Sequence, residues 1–541
     1  MKLFVLLLLL CLQLINPAYA EIKSAAALAP QQKMLAQHFR YKTLRFKKQR
    51  FRAYSQLKPL YQARNYQPIW TSSDGLNTLG SVFLEVLHNA QEVGLSPTAY
   101  PIALIESRIA AQPFAAAARA DLEIIISDTF LRYVEALRNG QIHPKYLGKN
   151  WRIYTHKPWA VQALLGELIN YPERLKTRLR YLAPRHPGYR KLQAALKYYL
   201  VYQSHKEDWP RLGAGPMLKK GQHSEQIQIL RARLLVSGDL SKTAVEEDAT
   251  LFDAPLEEAV RHFQKRHGLA ADGVVGPATR DALNVPLKQR IEQIRWNLER
   301  WRWLSETLPA NRIEVNIPDF SLALYKGYQV EDQMRAIVGQ KKRETPILQS
   351  EIRRLEFNPS WRVPRSITVK DILPELYKNP DYLAARNMTA TYDGLAINPQ
   401  FVKWSEYHEN NFPAQLRFEQ APGRSNALGK VKFVMPNCCS IYLHDTPTRG
   451  LFKRRKRALS SGCIRIEHPR RLAEHLLLTQ KGWEKSSIQR AFKRTKRRSV
   501  KILEPMPVFL LYWTAWIDDK GIMHFRDDIY GYDRAMQRIL K

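Results

Sequence analysis

"PLKQRIEQIRWNLERWRWLSETLPANRIEVNIPDFSLALYK", residues 286–326, contains the change of period on which the fold turns. Up to Leu308 the apolar residues Ile291, Ile294, Leu298, Trp301 and Leu304 recur at intervals of three and four. The stretch 287–308 is therefore expected to form one amphipathic helix with its tryptophans in the core. After Pro309 the interval becomes two, through Ile313, Val315 and Ile317, and "FSLALYK" and "MRAIVGQ" follow as short strands punctuated by Gly327 and Gly339. A helical part thus precedes a β-rich part, and the expected fold class is a multidomain α+β chain.

Upstream, the pattern from about 30 to 205 is helical. In "ADLEIIISDTFLRYVEALRNG", residues 120–140, Leu122, Ile125, Phe130, Tyr133 and Leu137 share one face and Gly140 closes the helix. This predicts a helical scaffold domain over 21–221, a solvated array with no evident chemistry, on which the 287–308 helix packs. The Gly- and Lys-rich stretch 211–222 reads as a linker. A compact unit follows at 222–286, where Ser224 is placed to cap a first helix through Ile227, Leu230 and Leu234. A second helix runs through Val260 and Phe263 to Gly268, an Asp272-Gly273 turn comes next, and Pro277 opens a third.

Downstream, the domain 309–541 is interrupted between "FNPSWRVPRSI" and "APGRSNALGKVKFVMP" by an irregular, partly helical insertion at about 371–425. Insertions of that length tend to be lids or binding loops. The chain closes on "PVFLLYWTAWIDDKGIMHFRDDI", read as two strands about an Asp519-Lys520-Gly521 turn.

The chemistry lies between, in "SIYLHDTPTRGLFKRRKRALSSGCIRIEHP", residues 440–469. A thiol is a nucleophile only as thiolate, so Cys463 needs a neighbouring base or cation. His444 ends one expected strand and Cys463 follows a tight Ser461-Gly462 turn into another, so the two meet if those strands pair. Gly462 permits a bend that aims the amides of 461–463 at a developing oxyanion. The plain alternative for Cys463 is a small buried hydrophobe. Cys438 and Cys439 read as two free, half-buried thiols, against an adjacent disulfide or an oxidative trap for Cys463. The run Lys453–Arg457 is expected to overhang the site and attract anionic substrate, whereas 493–498 reads as surface. Zinc-protease, G-x-S-x-G and phosphate-loop patterns are missing from the sequence, so no metal or cofactor is expected.

Residues 1–20 have one basic residue, an apolar core and a small-x-small end at Ala18-Tyr19-Ala20, the anatomy of a cleavable export signal. Val508 to Ile517 is the most apolar later stretch and is too short to span a bilayer, so the mature chain is expected to be exported and without a transmembrane segment. The 541 residues carry 85 Lys and Arg against 50 Asp and Glu, a formal charge of +35. Such a field usually suggests nucleic acid, but export leaves anionic envelope polymers or lipid headgroups as partners. Three cysteines beyond the signal are too few for a disulfide framework in a chain this long.

Two resemblances extend this reading. The 222–286 unit, through "FQKRHGL" and "DGVVGPATRDAL", resembles the peptidoglycan-binding domain of cell-wall enzymes, the alternative being a three-helix spacer of the same shape. "HDTP" with "SSGCIR" resembles the active-site motif of the L,D-transpeptidases, and "IEVNIP", "NPSWRVP" and "FRDDIYGYD" resemble that family's larger periplasmic branch. The resemblance implies a periplasmic enzyme with a lidded catalytic domain that joins peptidoglycan stems by 3-to-3 cross-links. An L,D-carboxypeptidase and a wall-binding protein without turnover are the alternatives. It implies Cys463 as nucleophile and His444 as general base and later acid, with the imidazole oriented by the Asp445 backbone carbonyl or by its carboxylate. Ser461 and Gly462 would shape the oxyanion site, Arg465 would bind a substrate carboxylate unless it forms an internal salt bridge, and Tyr442 and Trp361 would wall the cleft. Peptidoglycan and cell-wall synthesis proteins are the implied partners, and nucleic acid is not among them.

Overall fold

The computed structural model describes residues 29–40, 45–46, 49–50, 54–111, 115–205, 208–241 and 248–540. The expected export signal lies outside them. The chain folds as two compact units. One takes the described residues up to 141 together with 155–201 and 298–306, and the other takes 142–154, 202–297 and 307–540.

The first unit is helical. Helix α1, Thr78–His88, starts on Asn77, whose side chain accepts the Gly80 N–H at 2.9 Å. Helix α2, Ala116–Asn139, ends at Gly140 with φ +92°, and Leu122, Ile125, Phe130, Tyr133 and Leu137 are all buried on it. Ile124, Ile126, Leu131 and Val134 are buried as well, so α2 is the unit's central helix rather than one solvated on a face. Even Glu123 is fully buried, receiving the Trp70 and Thr71 N–H groups at 3.1 Å each and the Tyr61 hydroxyl at 2.7 Å. Such a carboxyl is tolerated because these donors satisfy its oxygens.

The second unit contains the three-helix module and the β domain. Helices α3 (Glu225–Val236), α4 (Ala254–Arg266) and α5 (Pro277–Leu283) enclose Ile227, Leu230, Leu234, Phe252, Val260, Phe263 and Leu283. Their ends follow local chemistry: Ser224 Oγ accepts the Gln226 N–H at 3.2 Å, Asp253 Oδ1 accepts the Leu256 N–H at 2.9 Å, and Pro277 begins α5. Helix α6, Leu287–Arg302, precedes the change of period.

The β domain has a nine-stranded sheet interrupted by a smaller one. Its strands are β1 (Arg312–Asn316), β2 (Ser321–Lys326), β3 (Gln329–Gly339) and β4 (Leu348–Phe357). Strands β5 (Trp361–Arg362), β6 (Met388–Tyr392), β7 (Leu395–Ile397) and β8 (Leu416–Gln420) make the small sheet, in the order β5-β8-β6-β7. The chain then returns through β9 (Val431–Val434), β10 (Leu443–His444), β11 (Ala458–Ser460), β12 (Ile464–Ile466) and β13 (Arg498–Leu511). The main order is β11-β3-β12-β10-β9-β4-β13-β1-β2, and β3 also pairs with β2, which closes the ladder on itself. The last apolar run breaks at Tyr512–Thr514. It therefore makes the end of β13 plus a separate hairpin, β14 (Ala515–Ile517) and β15 (Met523–Phe525), about the expected turn.

The inserted segment has its own core of Val369, Ile372, Leu376, Trp404, Phe412 and Phe418. Its sheet begins at Trp361, ten residues before the expected boundary, because β5 pairs with β8 through Trp361↔Gln420. Among the described residues no helix is long and apolar enough to cross a membrane.

Candidate active site

The site is built by one parallel strand pair. β10 and β12 run side by side with Leu443 opposite Ile464 and His444 opposite Arg465, and the Ile464 N–H donates to the Tyr442 carbonyl at 3.1 Å. A parallel pair requires a crossover, and residues 445–463 supply it, which is why the cysteine comes nineteen positions after the histidine. Cys463, His444, Arg465, Tyr442, Ser461 and Trp361 all line one cavity of about 550 Å³. Gly462 and Asp445 are not among the residues that line it. Residues of the insertion, among them Asp371, Tyr382 and Met388, form part of the cavity wall.

His444 is 4 % exposed, and its Nδ1 lies 2.6 Å from the Asp445 carbonyl oxygen. A carbonyl only accepts, so Nδ1 carries the hydrogen and Nε2 keeps its lone pair. The Asp445 carboxylate is occupied elsewhere, accepting from the Lys430 N–H at 2.8 Å and the Thr446 N–H at 2.7 Å, with Arg449 at 3.2 Å. Gly429 makes room for that carboxylate: its φ is +60°, and a Cβ there would sit 2.5 Å from the Asp445 Cγ. Burial, helped by the positive charge of Arg465, pulls the His444 pKa down to about 3. The imidazole is neutral.

Cys463 is half-buried. Burial raises its thiol above the ordinary value of 9.0, while hydrogen bonds from Tyr442 and the charges of Lys432 and Arg465 act in the opposite direction. The resting pair is therefore thiol and neutral imidazole rather than thiolate and imidazolium. The turn before Cys463 is held by Ser460, whose hydroxyl donates to the Cys463 carbonyl at 2.6 Å and accepts the Gly462 N–H at 3.2 Å. Gly462 has φ +117°, a conformation that disfavours any side chain. Its amide is spent within the turn. The amides of Ser461 and Cys463 have no partner among the described residues. Thr345 supports the turn from below by donating its hydroxyl to the Gly462 carbonyl at 2.7 Å.

Arg465 has no carboxylate within salt-bridge distance among the described residues, and its Nε is buried without a hydrogen-bond partner. Tyr442 stands 5.6 Å from the His444 ring, centre to centre, under the Lys432 ammonium at 4.2 Å. Trp361, on β5, faces the same cavity. Cys438 and Cys439 are free, with sulfurs 3.2 Å apart, and Cys439 lines the cavity.

Three residues here escape sequence reading. Arg343 donates to Ser461 Oγ at 2.9 Å and to the Asp371 carboxylate at 2.6 Å, linking the turn before Cys463 to the insertion. Asp371 is its partner, 28 positions away, and no local pattern marks either. Lys432 had a faint signal: Val431 and Phe433 are buried in β9, so period-two alternation turns the lysine to the opposite face, where it pairs in register with His444. The run 453–457 corrects an expectation. It does not line the cavity of Cys463 but a separate groove with residues 267–270. Buried Phe452 and the bonds from Arg457 to the Ala336 and Phe320 carbonyls, at 3.2 and 3.0 Å, turn the crossover that way.

Three regions match known families: residues 55–196 match "Scaffold domain", 223–283 "Putative peptidoglycan binding domain" and 310–497 "L,D-transpeptidase catalytic domain". The chain is similar to a Haemophilus influenzae protein named "Putative L,D-transpeptidase", with 39% identity over 246 residues, 45% of this chain and 49% of that protein. It is 43% identical over 82 residues, 14% of this chain, to the N-acetylmuramoyl-L-alanine amidase CwlM of Mycobacterium tuberculosis, covering 20% of that protein. The chain thus spans about half the length of the first relative and a fifth of the second. Among solved structures, the L,D-transpeptidase of Xylanimonas cellulosilytica aligns at 14% identity over 55% of this chain and 99% of that chain, with a TM-score of 0.19. That of Stackebrandtia nassauensis aligns at 10% identity over 56% and 96%, with a TM-score of 0.21.

Proposed function

The chain belongs to the L,D-transpeptidase family, and on that premise we propose that it forms 3-to-3 cross-links between peptidoglycan stem peptides through a thioester on Cys463. The observation that carries this is the parallel β10–β12 register, which brings a strand-end histidine, the Ser-Gly-flanked cysteine and an arginine without an acidic partner among the described residues around a single cavity. The module at 223–283 supports peptidoglycan as the substrate, and a wall substrate implies an exported, periplasmic protein.

In this mechanism a tetrapeptide donor enters with a carboxylate on Arg465, for which a guanidinium fork is suited. The Cys463 sulfur attacks the carbonyl of the third residue while His444 Nε2 takes the thiol proton. Because the imidazole is held near 3 and the thiol above 9.0, proton transfer accompanies attack instead of preceding it. The oxyanion is received by the free amides of Ser461 and Cys463, charge stabilisation of a kind typically worth about 3 kcal/mol per donor. Collapse breaks the C–N bond, His444 returns the proton to the departing D-alanine amine, and the thioester remains. A side-chain amine of a diamino acid on a second stem then attacks, His444 takes its proton, and the thiol is regenerated with the proton back on sulfur.

Incubation with tetrapeptide-rich sacculi, followed by mass spectrometry of the fragments, tests this reading. Cross-linked dimers support it. Tripeptides alone would make the protein a carboxypeptidase, and unchanged stems would leave it a wall-binding protein.

A further inference from the structure

We propose that the groove between residues 267–270 of the three-helix module and the basic run 453–456 is a second, non-catalytic binding site for the carboxylates of peptidoglycan stem peptides. The proposal rests on the wall-substrate reading above.

The groove has fixed walls. Arg526 donates to the Arg266 carbonyl at 2.7 Å and to Asp319 at 2.6 Å, and the His267 ring stacks on Phe525 with centres 5.6 Å apart. Gly268 lies so close that a Cβ there would meet the Arg526 side chain at 2.7 Å. Module and β domain are thus pinned together across this seam. Two adjoining cavities, of about 910 and 320 Å³, share His267, Leu269, Arg455, Lys456, Arg526 and Asp527.

The smaller cavity is strongly cationic. Lys453, Arg454, Arg455 and Lys456 are exposed and have no carboxylate within 4 Å among the described residues. Of the two acids in its lining, Asp319 is already taken by Arg526, which leaves Asp527 against four open cations. These cations do not sit on a loose loop, since Phe452 is buried before them and Arg457 is tied down after them. Holding four like charges together costs free energy, and nothing in the fold of the run uses them. An anionic ligand would.

The same run feeds straight into β11 and then the nucleophile turn, so Lys456 lies seven residues from Cys463, at most about 25 Å along an extended chain. A strand held by the module would pass these cations close to the chemistry. Stem peptides end in free carboxylates, the anions such a strand presents repeatedly. The larger cavity has nearly balanced charge, with Asp281, Glu292, Asp527, Asp528 and Asp533 facing its basic residues, and it carries no part of the argument.

The test uses the full-length protein and the variant Lys453→Gln, Arg454→Gln, Arg455→Gln, Lys456→Gln. Sedimentation with purified sacculi should show roughly a tenfold weaker affinity at low salt, the size expected for four exposed charge contacts. The difference should vanish near 1 M salt, where the screening length is about 3 Å. Acylation of Cys463 by a small carbapenem, read by intact mass, reports whether the crossover is still folded. A second variant, Ala270→Glu, adds a carboxylate to the opposite, exposed wall and should weaken binding in the same salt-dependent way without touching the crossover. Unchanged affinity in both variants overturns the proposal, as does a loss confined to anionic phospholipid vesicles with sacculus binding intact. Sacculus binding is measured without turnover, so a protein that binds through the groove but never cross-links refutes the enzymatic reading and not this one.

Discussion

Titration of the Cys463 thiol in the resting protein is the most direct probe of the mechanism. Moving its proton to His444 before substrate arrives requires charging an imidazole held near 3 and ionising a thiol held above 9.0. That gap spans at least six pH units, about 8 kcal/mol. An ion-pair attraction of about 4 kcal/mol, appropriate to 4 Å at an effective dielectric of 20, recovers half of it. The remaining ~4 kcal/mol puts fewer than about one molecule in a thousand in the thiolate–imidazolium form. The assay is alkylation by iodoacetamide, followed by intact mass, in a protein carrying Cys438→Ser and Cys439→Ser so that Cys463 is the one thiol beyond residue 20. Its rate should climb about tenfold per pH unit and reach no plateau below about pH 9, because only thiolate reacts. His444→Ala should leave that profile nearly unchanged while slowing acylation by donor at least about 10²-fold. A plateau with its midpoint between about pH 4 and 7 would refute the reasoning: the pair would then be pre-ionised, and proton transfer would precede attack.

Replacing Cys463 with Ala should abolish cross-linking while sacculus binding persists; residual turnover would move the nucleophile to Cys438 or Cys439. Excising the insertion between Arg362 and Ala421 with a short Gly-Ser link should leave a folded domain whose thioester meets water more readily, lowering the ratio of dimer to tripeptide; an unchanged ratio would mean that the segment is no lid. His444 is neutral when folded and protonates near 6.5 when unfolded, so its contribution to stability is complete above pH 6.5 and is lost as pH falls toward 3, by at most about 5 kcal/mol. Urea midpoints across that range should fall less steeply in His444→Gln than in the parent. Gly429→Ala forces a Cβ against Asp445 at a left-handed position and should cost about 1–3 kcal/mol, with donor acylation slowed because the carbonyl that orients His444 moves; thermal denaturation and the acylation rate check both.

The parts of this protein that local chemistry controls were legible in the sequence. The change of period at Pro309 separated helical from β architecture, and Ser224, Gly268 and Pro277 marked the ends of the module's helices, because caps and turns depend on neighbours a few residues away. Cys463 and His444 stood out as candidates because few residue types can serve as nucleophile and base, and because the Ser-Gly turn and strand-end histidine fall in the stretch that carries the family resemblance. What the tertiary structure alone decided depends on contacts between residues far apart in the chain. The register that sets His444 opposite Arg465, the choice of the Asp445 carbonyl over its carboxylate, the link from Arg343 to Asp371 and the burial of α2 on every side belong to this class. So does the direction of the basic run: its composition promised an anion, but the anchoring of Phe452 and Arg457 determined which groove it lines. Period and capping read a residue against the next turn or the next strand position, whereas a crossover of nineteen residues can close in many ways. Only the packing of its buried side chains against the rest of the sheet selects one.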